Sequence, residues 1–412
     1  MARDADASGI SAETGNNISD GISGAADRVS NWLAQRVGWT RHSWLTALFL
    51  LAVAVVIAWP DFGSFRHYAA WPERAMNWKI EHPLEAIPVE NYGEPAPDLE
   101  GTRAHIRKRT YRVTVLLIAH WLGWDMRAAA RFSFACSCIF IWLLVLNLRR
   151  LFPDDLTAAF LLGLALAGSL IVQWGLNDYF FFDGVGYMFL AAACLTRSPW
   201  LLTIYIIAGG FNDERVILVL PLLYLLHGSQ SMSELSLPGV LRLNRPRLGL
   251  LAGLLGFLVL RFLFALKVGH LYDSSVVGIW MLLPNLLLLP ANALSVFKGT
   301  ILILTGALLV LALRRSYGPL LILLLAALPS VGATLVVGDL GRTLAYSFPL
   351  LFLCAKVIRE SFERDALRRV LLYAALFSVF LPTYYLWEER LVPFKPLPYV
   401  SAANLIHFVR HH

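Results

Sequence analysis

The sequence predicts an all-α, polytopic integral membrane protein of about 9–11 transmembrane or re-entrant helices. Three observations predict it. Of the 412 residues, 58% are hydrophobic and only 15% charged, with a mean hydropathy of +0.61; ordinary soluble domains are about one quarter charged. Apolar runs long enough to span a bilayer recur along the chain. The Lys and Arg residues sit in short loops between those runs, so the net charge of +7 reports membrane topology and not nucleic-acid binding.

Residues 1–42 are polar and read as a cytoplasmic tail. Within it Val29, Trp32, Leu33 and Val37 repeat at helical spacing beside Arg28 and Arg36, the pattern of a short interfacial helix. The transmembrane domain is assigned to residues 43–390. Its first span, 43–60, is followed by an external loop, 61–112, with eight acids, eight Lys or Arg, and prolines at 72, 83, 88, 95 and 97 that limit helix length. Residues 113–124 are apolar but too few to span, so they read as a juxtamembrane or re-entrant helix. Residues 128–148 form a full span closed by Arg149 and Arg150. Pro153-Asp154-Asp155 opens the next, 156–174, with acids placed to complement a helix N-terminus. A run at 180–195 carries Asp183 in apolar and aromatic surroundings.

The arms 200–208 and 216–226 flank the polar stretch Gly209-Gly210-Phe211-Asn212-Asp213-Glu214-Arg215. Each arm is about half the roughly 20 residues a helix needs to cross, so the pair reads as a re-entrant hairpin with its polar tip at membrane depth. Ionisable groups there cost about 2.5–3.5 kcal/mol each, which marks them as functional candidates. A basic loop follows at 227–247, then runs at 248–268, 276–290 (interrupted at Pro284-Asn285), 299–313, 320–337, 343–356 and 370–387, with an extracytoplasmic tail at 391–412.

Placing the basic loops in the cytoplasm puts the N-terminus inside. Asp61, Asp178, Asp183, Asp273, Asp339 and Arg342 then share the outer half with the hairpin tip, where they can converge on one cavity under the loop 61–112. The guanidinium fork suits phosphate oxygens, which makes Arg66, Arg112, Arg215 and Arg342 candidates for a lipid phosphate. Asn177, Asp178, Asp213 and Asp339 complete the candidate binding set. Asp61, Glu214 and Asp183 are the candidate catalytic carboxylates, with Asp61 best placed as a base because it follows a rigid span. Cys136, Cys138, Cys194 and Cys354 all lie in apolar runs, and no His pair has ligand spacing, so no metal site is assigned.

Trp59-Pro60-Asp61-Phe62, the 61–112 loop with its following short helix, and the outward acids resemble the GT-C-type membrane glycosyltransferases. Gly338-Asp339-Leu340-Gly341-Arg342 is similar to the Asp-x-x-Arg found before a late span in bacterial polysaccharide-assembly membrane proteins. The resemblance implies a GT-C-like bundle, a polyprenyl-phosphate sugar as donor, membrane lipids as surroundings, a bacterial inner membrane and, as in some relatives, a divalent cation such as Mg or Mn. Phe62 stands where better-known members carry a second acid. A transporter or flippase of lipid-linked saccharide, or a non-catalytic envelope-assembly protein, are the competing readings, since broken helices and buried charges suit both.

Overall fold

The computed structural model describes residues 24, 28, 42–58, 70–88, 110–177, 182–228, 235–268, 278–337, 339–387 and 390–395. The described residues form a helical bundle with one small β-hairpin. Four helical stretches are long and apolar enough to cross a membrane: Met126–Leu151, Arg245–Val268, Leu282–Leu313 and Tyr317–Thr334. A fifth joins if the pair Leu156–Ala167 and Leu170–Asn177, bent by 55°, counts as one span. The sequence count of about 9–11 takes transmembrane and re-entrant helices together; among the described residues four, or five with the bent pair, are long enough for full spans. Ser43–Ala58, Asp183–Leu195 and Pro199–Asn212 are apolar but only 16, 13 and 14 residues long. The long apolar helices and their lipid-compatible faces agree with an integral membrane protein. Only 33% of the apolar window of Arg245–Val268 is buried, and Leu251, Leu255, Leu258, Phe262 and Leu266 project outward from it.

Helix α1 (Ser43–Ala58) packs on α4 (Met126–Leu151) and α5 (Leu156–Ala167). Between them in sequence, α2 (Ala70–Glu81) and α3 (Thr114–Leu122) form a cap. Pro72 is accommodated because it falls in the first turn of α2, where its missing N–H has no helical acceptor. Asp125 caps α4 by accepting from the Ala128 N–H at 2.7 Å, and Arg149 and Arg150 complement the dipole at the far end. Asp155 caps α5 in the same way at 3.0 Å and also receives Arg364 and Arg368. Burial works to raise this carboxyl, but the hydrogen bonds from Arg368 and from Ala158 outweigh it and hold Asp155 below the usual carboxylate range.

The run at 156–174 is not one helix. It breaks at Gly168-Ser169 into α5 and α6 (Leu170–Asn177). A Cβ on Gly168 would sit 2.6 Å from the Ser378 backbone, so the break lies where a later helix, α18 (Arg364–Phe380), crosses in direct backbone contact.

After α7 (Asp183–Leu195), the chain forms α8 (Pro199–Asn212), leaves the helix at Asp213-Glu214, and resumes as α9 (Arg215–Leu218) and α10 (Leu220–Gly228). Both outer ends of this unit return to one place. Pro199 abuts Gly249 and Gly228 abuts Arg247, both near the start of α12 (Arg245–Val268), while His227 bonds the Ala193 carbonyl at 2.8 Å. The chain therefore enters and leaves at the same end, with Asp213-Glu214-Arg215 at the far tip. Small residues make this possible, since Gly249 and Gly253 let α12 lie against the α8 backbone. The short α11 (Leu237–Leu241) sits in the basic loop, where Arg247 ties the carbonyls of Tyr224, Gly239, Val240 and Arg242 together.

In the later chain, Pro284 lies in the first turn of α13 (Leu282–Phe297) and does not interrupt it. The interruption falls instead at the 3-10 turn Lys298–Thr300, ahead of α14 (Ile301–Leu313). Then come α15 (Tyr317–Thr334), α16 (Leu340–Ala345), α17 (Pro349–Ser361) and α18. The final helix ends at Phe380, not at Trp387. Pro382 disfavours helix at Leu381, and Thr383–Trp387 (β1) pairs antiparallel with Arg390–Lys395 (β2), so the fold is not wholly helical.

Contacts divide the bundle into two ends. Arg149 reaches Thr46, Arg150 the Leu195 carbonyl, Arg314 the Ser361 carbonyl, Arg359 the Leu151 carbonyl, and Arg364 and Arg368 reach Asp155. These basic residues share one end. The α8–α9 tip, the α2–α3 cap and α16 lie toward the other.

Candidate functional site

The polar end gathers side chains from five parts of the chain into one charged network. Asp183 is its deepest member. It opens α7, where the helix dipole favours a carboxylate, after Phe182 in the left-handed region at φ 59°. The Phe182 carbonyl is held by Asn212 at 2.9 Å. Asp183 is fully buried and accepts from Arg342 Nε, from Arg342 Nη2 at 2.9 Å, from Tyr346 Oη at 2.7 Å and from Trp174 Nε1 at 2.7 Å. Gly186 makes room for the Tyr346 hydroxyl, since a Cβ there would lie 2.7 Å from it.

Asp213, also fully buried, is the second hub. Its Oδ1 accepts the Arg215 N–H at 3.0 Å, which starts α9. Its Oδ2 meets Arg112 at 3.1 Å, Arg342 at 3.4 Å and Arg215 at 3.8 Å. Three guanidiniums thus surround one carboxylate. A buried charge of either sign needs such pairing to persist.

The outer rim is more open. Glu214 is 34% exposed and pairs with Arg112 at 3.4 Å; Asp339 is 26% exposed and pairs with Arg342 at 3.6 Å and Arg215 at 3.8 Å. Asp339 also caps α16 through the Arg342 N–H. Arg112 Nε and one terminal nitrogen of Arg215 are buried without a hydrogen-bond partner. Arg261, on α12, stacks over the Tyr111 ring at 3.7 Å and donates to the Tyr111 carbonyl at 3.3 Å. The cap closes above. The Val113 N–H bonds the Phe211 carbonyl at 2.9 Å, and Thr114 bonds the Ala208 carbonyl at 2.7 Å, so α3 is tied to the hairpin tip and carries Arg112 into place.

Of the residues singled out from sequence, Arg112, Asp183, Asp213, Glu214, Arg215, Asp339 and Arg342 come together. Asp183 is buried with four donors on its carboxylate, an arrangement that anchors Arg342 from below. Asn177 stands apart from this network. Its amide bonds the Ala58 carbonyl at 3.4 Å and the Gln173 carbonyl at 2.9 Å, which ties α6 to α1. Asp61, Arg66, Asp178 and Asp273 lie outside the described residues. Tyr346 and Trp174 were missed. Tyr346 falls four residues after Arg342, one helical turn on the same side, and that spacing was the available signal. Among the described residues no group of three or more His, Cys, Asp or Glu side chains is placed to hold a metal ion.

No family model, curated protein or solved structure matches the chain.

Proposed function

We propose that this protein is a membrane-embedded glycosyltransferase that moves a sugar from a polyprenyl-phosphate-type lipid donor to an acceptor at the outer face of a bacterial inner membrane, with a GT-C-like bundle. One observation carries the reading. At the rim of an otherwise self-paired charge network, two partly accessible guanidiniums, Arg112 and Arg215, stand beside two partly exposed carboxylates, Glu214 and Asp339. Phosphate oxygens suit those donors, because a guanidinium presents its N–H groups in a planar fork. Arg112 and Arg215 hold the lipid phosphate, and Asp213 behind them fixes their geometry without reaching substrate. Glu214 is the rim carboxylate with room to receive the acceptor's proton. The acceptor oxygen bonds the anomeric carbon, the carbon–phosphate oxygen bond breaks, and the departing phosphate keeps its electron pair against the two arginines.

The test is transfer of radiolabelled sugar from a panel of polyprenyl-phosphate sugars by purified protein in lipid. Wild type turns over at least one donor, and Glu214→Gln loses about 100-fold or more, in the range for general-base removal. A second reading has its own support: Asp183 and Asp213 are wholly paired within the protein, as in a structural polar core of an envelope-assembly protein. Lack of turnover and of binding across the panel favours that reading. Binding without turnover favours transport of the lipid-linked saccharide.

A further inference from the structure

A second charged patch lies on the outside of the bundle, at the end that carries the α2–α3 cap. Along α4 the exposed residues Arg127, Arg131, Ala135, Ile139 and Trp142 follow at intervals of three and four and so form one stripe. The opposite side, with Met126, Ala129, Ala130, Ser133, Cys136 and Phe140, is buried against the bundle. Two guanidiniums therefore project one turn apart from a face that is otherwise apolar. The turn from α3 into α4 lies beside them. Gly123 takes φ 64° there, Trp124 folds back on Phe132 with ring centres 5.4 Å apart, and Trp121 and Leu122 stay 74% and 56% exposed.

The placement of these two arginines runs against two general preferences. At the other end of α4, Arg149 and Arg150 complement the helix dipole. Arg127 and Arg131 sit in the first two turns, where the dipole opposes a cation. They also stand at the end away from the basic loops, against the usual charge bias of membrane proteins. Residues 113–152 contain one acid, Asp125, whose Oδ1 is taken by the Ala128 N–H at 2.7 Å. An anion bound from the surroundings offsets both penalties.

Depth identifies that anion. The 26 residues of α4 make a helix about 39 Å long. A hydrocarbon core is about 30 Å thick, so centring α4 in it leaves about 4–5 Å beyond it at each end. Arg127 then lies in the headgroup layer. Arg131 starts one turn deeper, and a helical side chain leans toward the N-terminus, so its guanidinium reaches the same layer. Trp121 lies at the level indole rings favour. Lipid phosphates occupy this layer, and a guanidinium fork meets their oxygens two at a time. Below the arginines, Ala135, Ile139 and Trp142 offer an apolar wall to the acyl chains.

We propose that Arg127 and Arg131, with Trp121 and Leu122 beside them, form a headgroup site for an anionic glycerophospholipid such as phosphatidylglycerol, in the leaflet at the capped end. The site rests on the chain spanning a membrane and not on sugar transfer.

The experiment is photocrosslinking of the full-length protein in phosphatidylcholine nanodiscs doped with phosphatidylglycerol that carries a diazirine in its headgroup, with adducts mapped by proteolysis and mass spectrometry. Wild type forms adducts within residues 121–131, and unlabelled phosphatidylglycerol competes them away. Arg127→Gln/Arg131→Gln lowers their yield about 5-fold or more, the scale of attraction that two basic residues contribute at an anionic surface. Adducts elsewhere on the chain keep their yield. Arg127→Lys/Arg131→Lys retains at least half of the wild-type yield, because the charge remains. No adduct in this segment, equal labelling by a phosphatidylcholine with the same diazirine, or an undiminished yield in the glutamine variant overturns the proposal. Loss of the adducts in the lysine variant overturns it too, since charge would then not be what binds. So does a crosslink between two copies of the chain through this segment, which makes the patch a subunit contact.

Discussion

The role of Asp183 as anchor makes a quantitative prediction about Asp183→Asn. The substitution keeps the side chain's shape and removes its charge. Arg342 then loses its closest counter-ion and retains Asp213 at 3.4 Å and Asp339 at 3.6 Å. One of the two Asp183 oxygens becomes an NH2 group, which faces existing donors from Arg342, Tyr346 or Trp174. Breaking one partner of a buried ion pair costs about 3–5 kcal/mol. That is a large part of a total stability of about 5–15 kcal/mol. By contrast, replacing both partners with apolar groups of similar size is often neutral. The double variant Asp183→Leu/Arg342→Met is therefore less destabilised than the sum of its single changes by at least about 2 kcal/mol, the signature of coupled neighbours. The assay is reversible denaturant unfolding in mixed micelles, followed by tryptophan fluorescence, since Trp174 bonds Asp183 directly. A cost below about 1 kcal/mol for Asp183→Asn, or a double variant equal to the sum of its singles, would refute the anchor role.

Other predictions follow from neighbouring geometry. Glu214→Gln leaves stability within about 1 kcal/mol of wild type, because its pair is partly solvated, so its effect on transfer is separable from folding; circular dichroism and unfolding curves check this. Lys79, in the α2 cap outside the spanning helices, is buried, and burial pushes its ammonium down to about 7, with Glu85 opposing and Lys267 adding to the fall. Between pH 7 and the ordinary value of 10.5 the unfolded chain holds more protons than the folded one, so stability rises with pH across that window and is flat below it. Lys79→Met removes that slope in a pH series of unfolding curves. Asp155, held below the model-peptide value of 3.8, contributes stability above that pH and loses it as the pH falls through its folded value; Asp155→Asn flattens the acid limb. Gly168→Ala places a methyl 2.6 Å from the Ser378 backbone and costs about 1–3 kcal/mol, read by thermal unfolding.

Much of the fold was legible because bilayer physics leaves plain marks. The α4 helix could be read from an unbroken apolar run and its terminal arginines, and its Asp125 cap fits the same pattern. The return of α10 to the end where α8 begins was legible from two arms each too short to span. The assembly of Arg112, Asp183, Asp213, Glu214, Arg215, Asp339 and Arg342 was legible because buried charge has to find opposite charge. Their division of labour was not, since exposure of a carboxylate depends on tertiary neighbours: Asp183 and Glu214 look alike in sequence and differ completely in surroundings. Tyr346 and Trp174 carry no charge and gave no depth signal. The break between α5 and α6 falls at Gly168-Ser169, where the chain packs on the Ser378 backbone some two hundred residues away, while local hydropathy runs smoothly through it. Lys298 borders the 299–313 run in sequence, yet it lies within the stretch Leu282–Leu313.

The most direct test of the central claim is an experimental map of the protein in nanodiscs with a short-chain polyprenyl-phosphate sugar bound. The account predicts the lipid phosphorus between Arg112 and Arg215, with phosphate oxygens at about 2.7–2.9 Å from their nitrogens and the sugar over Glu214. A rim on which Arg112 and Arg215 remain closed on Asp213 and Asp339, with the lipid bound elsewhere, would contradict it.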